Sequence, residues 1–329
     1  MNTELLSPAD GKTVSICAPF QQEFHDCKNF RAEKKVIRKL VKQNKPEGYF
    51  STPAPVKLSW KTDEKISAVE ISESCDFSES IKLEIVENQA EIFNLKKGTE
   101  YFWRVNGSEA KRFFTDNVAP RWIFADGCVN IRDVGGKENI NGQKLKQNML
   151  FRGPRLENDL TENGLQSLRN LKIRTEIDLR KESDGELNAS PLGDDVKYIY
   201  HPCNGYEDFL QIDSKENTQA LIEYFADETN YPIYFHCRGG ADRTGTLALF
   251  LGAILGLDDR TLLYDYELTM ITSPEKKMSR SRKKKIKKFL KILCGRDKHK
   301  SLGENAVDFL RECGVSDETF DLIRKIMLD

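Results

Sequence analysis

The chain has 329 residues, 39% hydrophobic and 31% charged, which suits two domains of an ordinary folded protein and excludes the disordered and collagen-like classes. With 51 Lys+Arg against 52 Asp+Glu, the net charge of −1 argues against a strongly charged partner for the molecule as a whole. No apolar run reaches membrane length, and the first twenty residues have neither a basic start nor an apolar core. The expectation is therefore a cytoplasmic protein, or a secreted one if a leader has been removed. Four His at no ligand spacing and eight scattered Cys, no two closer than ten residues, predict no metal and no cofactor.

Residues 1–45 read as an N-terminal extension. Within it, Phe24 to Val41 puts Phe24, Cys27, Phe30, Ile37, Leu40 and Val41 on roughly one helical face, which predicts an amphipathic helix packed on a neighbouring domain. Residues 46–117 carry short alternating runs at 56–60, 67–72, 81–86, 91–95, 100–106 and 111–115, separated by polar or glycine-bearing turns. Strands at that spacing predict a small all-β sandwich. Within it, Leu95-Lys96-Lys97-Gly98-Thr99-Glu100-Tyr101 resembles the corner of fibronectin type III domains, with Lys97 where proline is usual. The resemblance makes Trp60 the buried core tryptophan.

From 118 to 329 the pattern changes to alternating strand and helix. Strands are predicted at 122–125, 150–152, 175–179, 196–201 and 233–236, and helices at 161–171, 215–227 and beyond Thr244. The expected architecture is α/β, a central sheet flanked by helices. Asn141-Gly142 marks a hairpin before Leu150.

The chemistry concentrates in His236-Cys237-Arg238-Gly239-Gly240-Ala241-Asp242-Arg243-Thr244-Gly245. These ten residues bridge a buried strand (YPIYF) and an apolar helix (TLALFLGAILGL). A tight glycine-bearing loop in that place turns backbone N–H groups inward at a helix N-terminus and forms an anion cradle from Arg238, Gly239, Gly240, Ala241, Asp242 and Arg243. Cys237 opens the cradle, where amides, helix dipole and a guanidinium favour the nucleophilic thiolate. Arg243 can bind two phosphoryl oxygens with its planar fork. Thr244 can donate to the sulfur, and His236 holds the loop from behind.

HCRGGADRTG resembles the phosphate-binding signature of the protein tyrosine phosphatase superfamily. Asn130-Ile131-Arg132-Asp133-Val134-Gly135-Gly136, LFRG (150–153) and Glu176-Ile177-Asp178-Leu179-Arg180 extend the resemblance to its bacterial tyrosine-phosphatase-like family, over about residues 120–270. That family includes tyrosine/serine and phosphoinositide phosphatases. The resemblance implies a cysteine phosphatase fold and a phosphocysteine intermediate, with a phosphorylated protein, peptide or small molecule as partner. Lipid-active members often carry Lys where this chain has Ala241, which tilts the expectation towards phosphotyrosine and away from inositol phosphates. An inactive phosphate-binding module is the remaining alternative.

The reaction also needs a proton donor. Asp208, beside Glu207 on the segment after the 196–201 strand, has the placement usual in the superfamily; Asp242 has the role in family members with Asp inside the loop. Asp133 and Asp178, each near an Arg, read instead as supporting ion-pair residues. A last feature is ten Lys or Arg between Lys276 and Lys291. Ile286, Phe289, Leu290 and Leu293 fall at helical spacing there, so the segment reads as a docked helix with a solvated basic face. Steering of an anionic substrate and contact with a membrane surface are the lesser readings, and nucleic acid is not expected.

Overall fold

The computed structural model describes residues 3–118, 120–157, 160–184, 189–211, 214–272 and 280–329, with Phe30 and 280–283 described by backbone alone. The chain divides into two compact units. One runs to Cys27 and resumes over Thr52–Ile123; the other joins Lys28–Ser51 to Phe124–Asp329. The stretch 1–45, expected as one extension, is thus shared between them.

The first unit contains β1 (Glu4–Ser7), β2 (Lys12–Val14), α1 (Pro19–His25), β3 (Val56–Lys61), β4 (Val69–Ser72), β5 (Ile81–Lys82), β6 (Gln89–Ile92), β7 (Glu100–Val105) and β8 (Lys111–Thr115). Strands β1-β3-β6 form one sheet and β2-β8-β7-β4-β5 a second. Alternate residues of β3 (Val56, Leu58, Trp60) and β7 (Tyr101, Trp103, Val105) are buried, as the two-residue strand period requires, and they share one apolar cluster fed by both sheets. The Tyr101 hydroxyl accepts a hydrogen bond from the Lys96 N–H at 2.9 Å, which ties down the turn before β7. Strands β1 and β2 were not expected: at four and three residues they are too short for alternation to register.

The second unit opens with α2 (Phe30–Val41), capped by the Asn29 side chain, which accepts from the N–H groups of Arg31 and Ala32 at 3.1 Å. Its sheet has the order β12-β11-β13-β10-β9, from β9 (Arg132–Asp133), β10 (Leu150–Pro154), β11 (Thr175–Asp178), β12 (Lys197–Tyr200) and β13 (Ile233–Cys237). All pairings are parallel except β9 with β10. Strand β13 is central and wholly buried, as expected of a parallel strand covered on both faces. The predicted strand at 122–125 does not form an extended ladder; Ala125 bridges Cys128 and Trp122 is also a bridge residue. Trp122, Ile123 and Ala125 are buried.

The helices are α3 (Glu162–Arg169), α4 (Lys215–Glu223), α5 (Arg243–Ile254), α6 (Asp259–Thr272), α7 (Arg280–Cys294), α8 (Leu302–Glu312) and α9 (Asp317–Met327). Every residue of α5 after Arg243 is buried, as befits a helix apolar all round; it packs against β13, α6 and α8. Helix α7 carries part of the basic cluster, while Lys276, Lys277 and the two residues after them lie outside the described residues.

Candidate active site

Cys237 ends the central strand, level with Pro154 of β10, and His236 is level with Asp178 of β11. The next five residues turn the chain into α5, whose N-cap is Asp242. Gly240 makes that turn possible. Its φ is +61°, and a Cβ there would stand 2.4 Å from the backbone carbon of Gly153 and 2.5 Å from its oxygen. No side chain fits against the neighbouring strand at that distance.

The sulfur of Cys237 is buried. Burial by itself pushes the thiol pKa up, but the Thr244 hydroxyl, the Arg243 guanidinium and the N–H groups of Thr244 and Gly239 outweigh it and hold the thiol below its ordinary value. The Thr244 side chain is fully buried, and its hydroxyl is the first of the groups that favour the charged sulfur. Arg243 is itself steered by a carboxylate: its Nη1 lies 2.5 Å from Asp184 Oδ2 and donates more weakly to the Leu179 carbonyl at 3.4 Å. A thiol whose ionisation is favoured and a guanidinium thus share one loop at a helix N-terminus, an arrangement chemically able to attack and neutralise a phosphoryl group.

Beneath the loop lies a layer of buried charge. Asn130 Nδ2 donates to the carbonyls of Gly239 (3.0 Å) and Gly240 (3.3 Å), and Arg152 Nη2 to that of Gly240 (2.9 Å). Arg132 donates to Asn130 Oδ1 at 2.8 Å and so fixes the amide orientation. Both arginines converge on Asp265 of α6: Arg132 Nε at 3.3 Å and Arg152 in a closer pair, with Lys137 Nζ at 3.5 Å. Burial would raise the Asp265 pKa, yet Arg152, Arg132 and Lys137 drive it far below the carboxylate range. NIRD and FRG are therefore the underside of the loop.

His236 is fully buried, its Nε2 2.8 Å from Glu176 Oε1 and its ring stacked on Tyr234 at 5.6 Å. Burial opposes its charge, but Glu176 and then Asp178 raise the pKa on balance. Asp178 accepts from Arg180 Nε and Nη2 and from the Tyr198 hydroxyl at 2.7 Å. Burial pushes its carboxyl up; Arg180, His236 and Tyr198 bring it down further. Asp133 accepts from the N–H groups of Gly135 (2.7 Å) and Asn148 (2.8 Å), where it shapes a turn.

The two proton-donor candidates sit differently. Asp208 lies on the 3-10 turn Tyr206–Leu210, exposed, with its carboxylate accepting from Gln211 Nε2 at 3.0 Å. Asp242 lies in the loop itself and accepts a close hydrogen bond from the Tyr206 hydroxyl, which also meets that of Tyr266. Tyr206 is placed for this by backbone contacts: its N–H donates to Thr246 Oγ1 at 2.9 Å, and a Cβ on Gly205 would come within 3.2 Å of the Arg243 nitrogen. Among the loop residues, Arg238 is exposed and Ala241 buried. Asp184, Asp265 and Tyr206 are site residues that the sequence reading missed. For Tyr206 alone there was a signal, the glycine before it in the very segment that supplied Asp208.

Residues 123–329 match the model of the tyrosine phosphatase family. A protein described as "Putative tyrosine-protein phosphatase" from Cupriavidus necator is 25% identical over 167 residues, which cover 43% of this chain and 60% of that relative; the match thus takes in less than two thirds of the relative's length. Among solved structures, the core catalytic domain of the PP-IP phosphatase SIW14 from S. cerevisiae, in complex with citrate, matches with a TM-score of 0.32 and 17% identity, covering 45% of this chain and 89% of that one. The family model spans well over half of the sequence and includes the whole sheet of the second unit, from β9 onward, the loop and the helices behind it, and the chain belongs to the tyrosine phosphatase family.

Proposed function

We propose that this protein hydrolyses phosphomonoesters through a phosphocysteine intermediate, with phosphotyrosine in a polypeptide as substrate. The observation that carries the reading is the convergence of the Thr244 hydroxyl, the Arg243 guanidinium and the N–H groups of Gly239 and Thr244 on one buried sulfur. The Cys237 thiolate attacks phosphorus, the P–O ester bond breaks, and the leaving oxygen takes a proton. Water then attacks phosphorus, the P–S bond breaks, phosphate departs and the thiolate returns. Arg243 neutralises the equatorial oxygens in both steps.

Asp242 is the better-supported proton donor, since it borders Arg243 and its carboxyl is held by Tyr206; Asp208 is the alternative. Ala241 leaves the loop with Arg238 and Arg243 as its cations, which supports a monoester over a polyphosphate. The scatter of the eight cysteines along the sequence and the need of Cys237 to stay a thiol support a reducing compartment, hence the cytoplasm. The strand order and the Tyr101 corner support a fibronectin type III-like reading of the first unit.

Turnover of an aryl phosphate tests the reaction. We expect activity in the wild type, none in Cys237→Ser, and a loss of about a hundredfold or more in Arg243→Ala. An inactive wild type that still binds phosphorylated ligands would sink the enzyme reading. A panel of phosphotyrosyl peptides, inositol phosphates and phosphoinositides tests the substrate, with the highest kcat/KM expected for the peptides. For the acid, Asp242→Asn should lose the basic limb of the pH profile and Asp208→Asn keep it; the reverse assigns Asp208.

A further inference from the structure

We propose that the lysine face of α7 is a docking track for an acidic stretch of the polypeptide substrate, adjoining its phosphorylated residue. This rests on the phosphopeptide reading above and adds a sequence preference to it.

Helix α7 has two opposed faces. Ile286, Phe289, Leu290 and Leu293 recur at helical spacing, and Phe289 and Leu293 are buried in the second unit's core. Phe289 meets the Phe250 ring of α5 edge-on at 6.4 Å, and Phe250 in turn stacks on Phe209 at 5.0 Å. The helix is thereby fixed to two elements that build the site: the helix that starts at Arg243 and the turn that carries Tyr206.

At about 100° per residue, the remaining side presents Lys284, Lys285, Lys287, Lys288 and Lys291, all exposed. Lys288 and Lys285 fall on the flank nearest the 206–210 turn. Lys288 Nζ is 3.2 Å from Glu207, and both lysines help to lower the Glu207 carboxyl. Glu207 is the one carboxylate within ion-pair distance of these lysines among the described residues, so five positive charges less one negative leave four uncompensated.

The surrounding surface does not share this excess. In the neighbouring α8 and α9 region Arg296 pairs with Glu312, Lys300 with Asp308 and Arg311 with Asp317. The chain as a whole is at −1. Like charges three and four residues apart on a helix repel, and an anionic partner relieves that repulsion.

Two features select an extended acidic peptide over an anionic membrane. First, the row begins beside Glu207, next to Tyr206, whose hydroxyl holds Asp242 in the phosphate loop. A chain with its phosphorylated residue in the loop would leave along the helix. Second, interfacial helices bind by inserting their apolar face, and here that face is already buried in the core.

The test compares phosphotyrosyl peptides of one length flanked by glutamates or by glutamines. For the wild type we expect a kcat/KM ratio in favour of glutamate on the order of tenfold at low salt, shrinking as salt screens it. In Lys285→Gln/Lys288→Gln/Lys291→Gln the ratio should fall to about one. A wild-type ratio near one, or a ratio that the substitutions leave unchanged, overturns the proposal. So does lysine-dependent sedimentation with phosphatidylserine vesicles in the absence of any peptide preference. If wild type turns over neither peptides nor aryl phosphate, the hydrolase reading has failed separately. Fluorescence anisotropy of the same peptides on the Cys237→Ser chain then decides the docking claim, by the same glutamate-over-glutamine preference and its loss with the lysines.

Discussion

Two charged regions of the second unit obey opposite rules. Under the phosphate loop, Arg132, Arg152 and Lys137 surround Asp265 where there is almost no water; on α7, five lysines face solvent with one glutamate between them. A buried charge without a partner is too costly to persist, so all three cations of the first set converge on the one buried carboxylate. Solvated charge needs no partner, so the second set can remain open to one. Residue type says nothing about which rule applies; the surrounding dielectric does.

The largest test of that contrast is Asp265→Asn. It leaves three buried cations without their anion, and we expect a loss of about 3–5 kcal/mol of stability by urea denaturation, with weakened activity. A change under about 1 kcal/mol would mean that Asp265 does not hold the three cations in place. The sign with pH follows from the depressed Asp265 carboxyl: its contribution is complete above the ordinary carboxylate value of 3.8 and is lost as pH falls towards the folded one. The wild type should therefore lose this contribution only in strong acid, and the variant should lack it throughout.

Next is Gly240→Ala, which sets a Cβ against the Gly153 backbone at positive φ. A cost of about 1–3 kcal/mol and a displaced loop should lower kcat; unchanged activity would show that the loop does not depend on its contact with β10. Smaller still is Thr244→Val, which removes a donor to the sulfur. The pH midpoint of Cys237 alkylation by iodoacetamide should rise towards the ordinary thiol value of 9.0, and a static midpoint would take Thr244 out of the thiolate's support. The least effect is expected on α7: Lys284→Gln or Lys287→Gln should shift stability by less than about 0.5 kcal/mol. A larger loss would make the lysine face structural rather than open.

The sequence carried the strand–loop–helix unit around Cys237 almost in full, because a tight anion cradle demands specific residues at consecutive positions. NIRD, LFRG and EIDLR were visible as a resemblance, but their task was not. Arg132 and Arg152 act through Asp265, more than a hundred residues further on, in a helix with no motif of its own. Asp184 is hidden for a related reason: an exposed-looking acid in KESD gives no sign that it meets Arg243. The stretch 24–41, expected as one helix, displayed an apolar stripe; the structure breaks it after His25 and restarts it at Phe30 behind the Asn29 cap, and Phe24, Val36, Ile37 and Leu40 are buried. A stripe reports that a face is covered, not which body covers it, and α2 belongs to the unit that follows it by way of the intervening β strands.

The loop's far anchor is α5, buried on every side after its first residue. Hydrogen-exchange behaviour divides proteins into parts that open locally and parts that open only when everything does, and a helix so enclosed belongs to the second kind. The loop from Arg238 to Asp242 runs directly into the first turn of that helix. The end of the loop at Asp242 and Arg243 is thereby tied to the part of the unit that opens last.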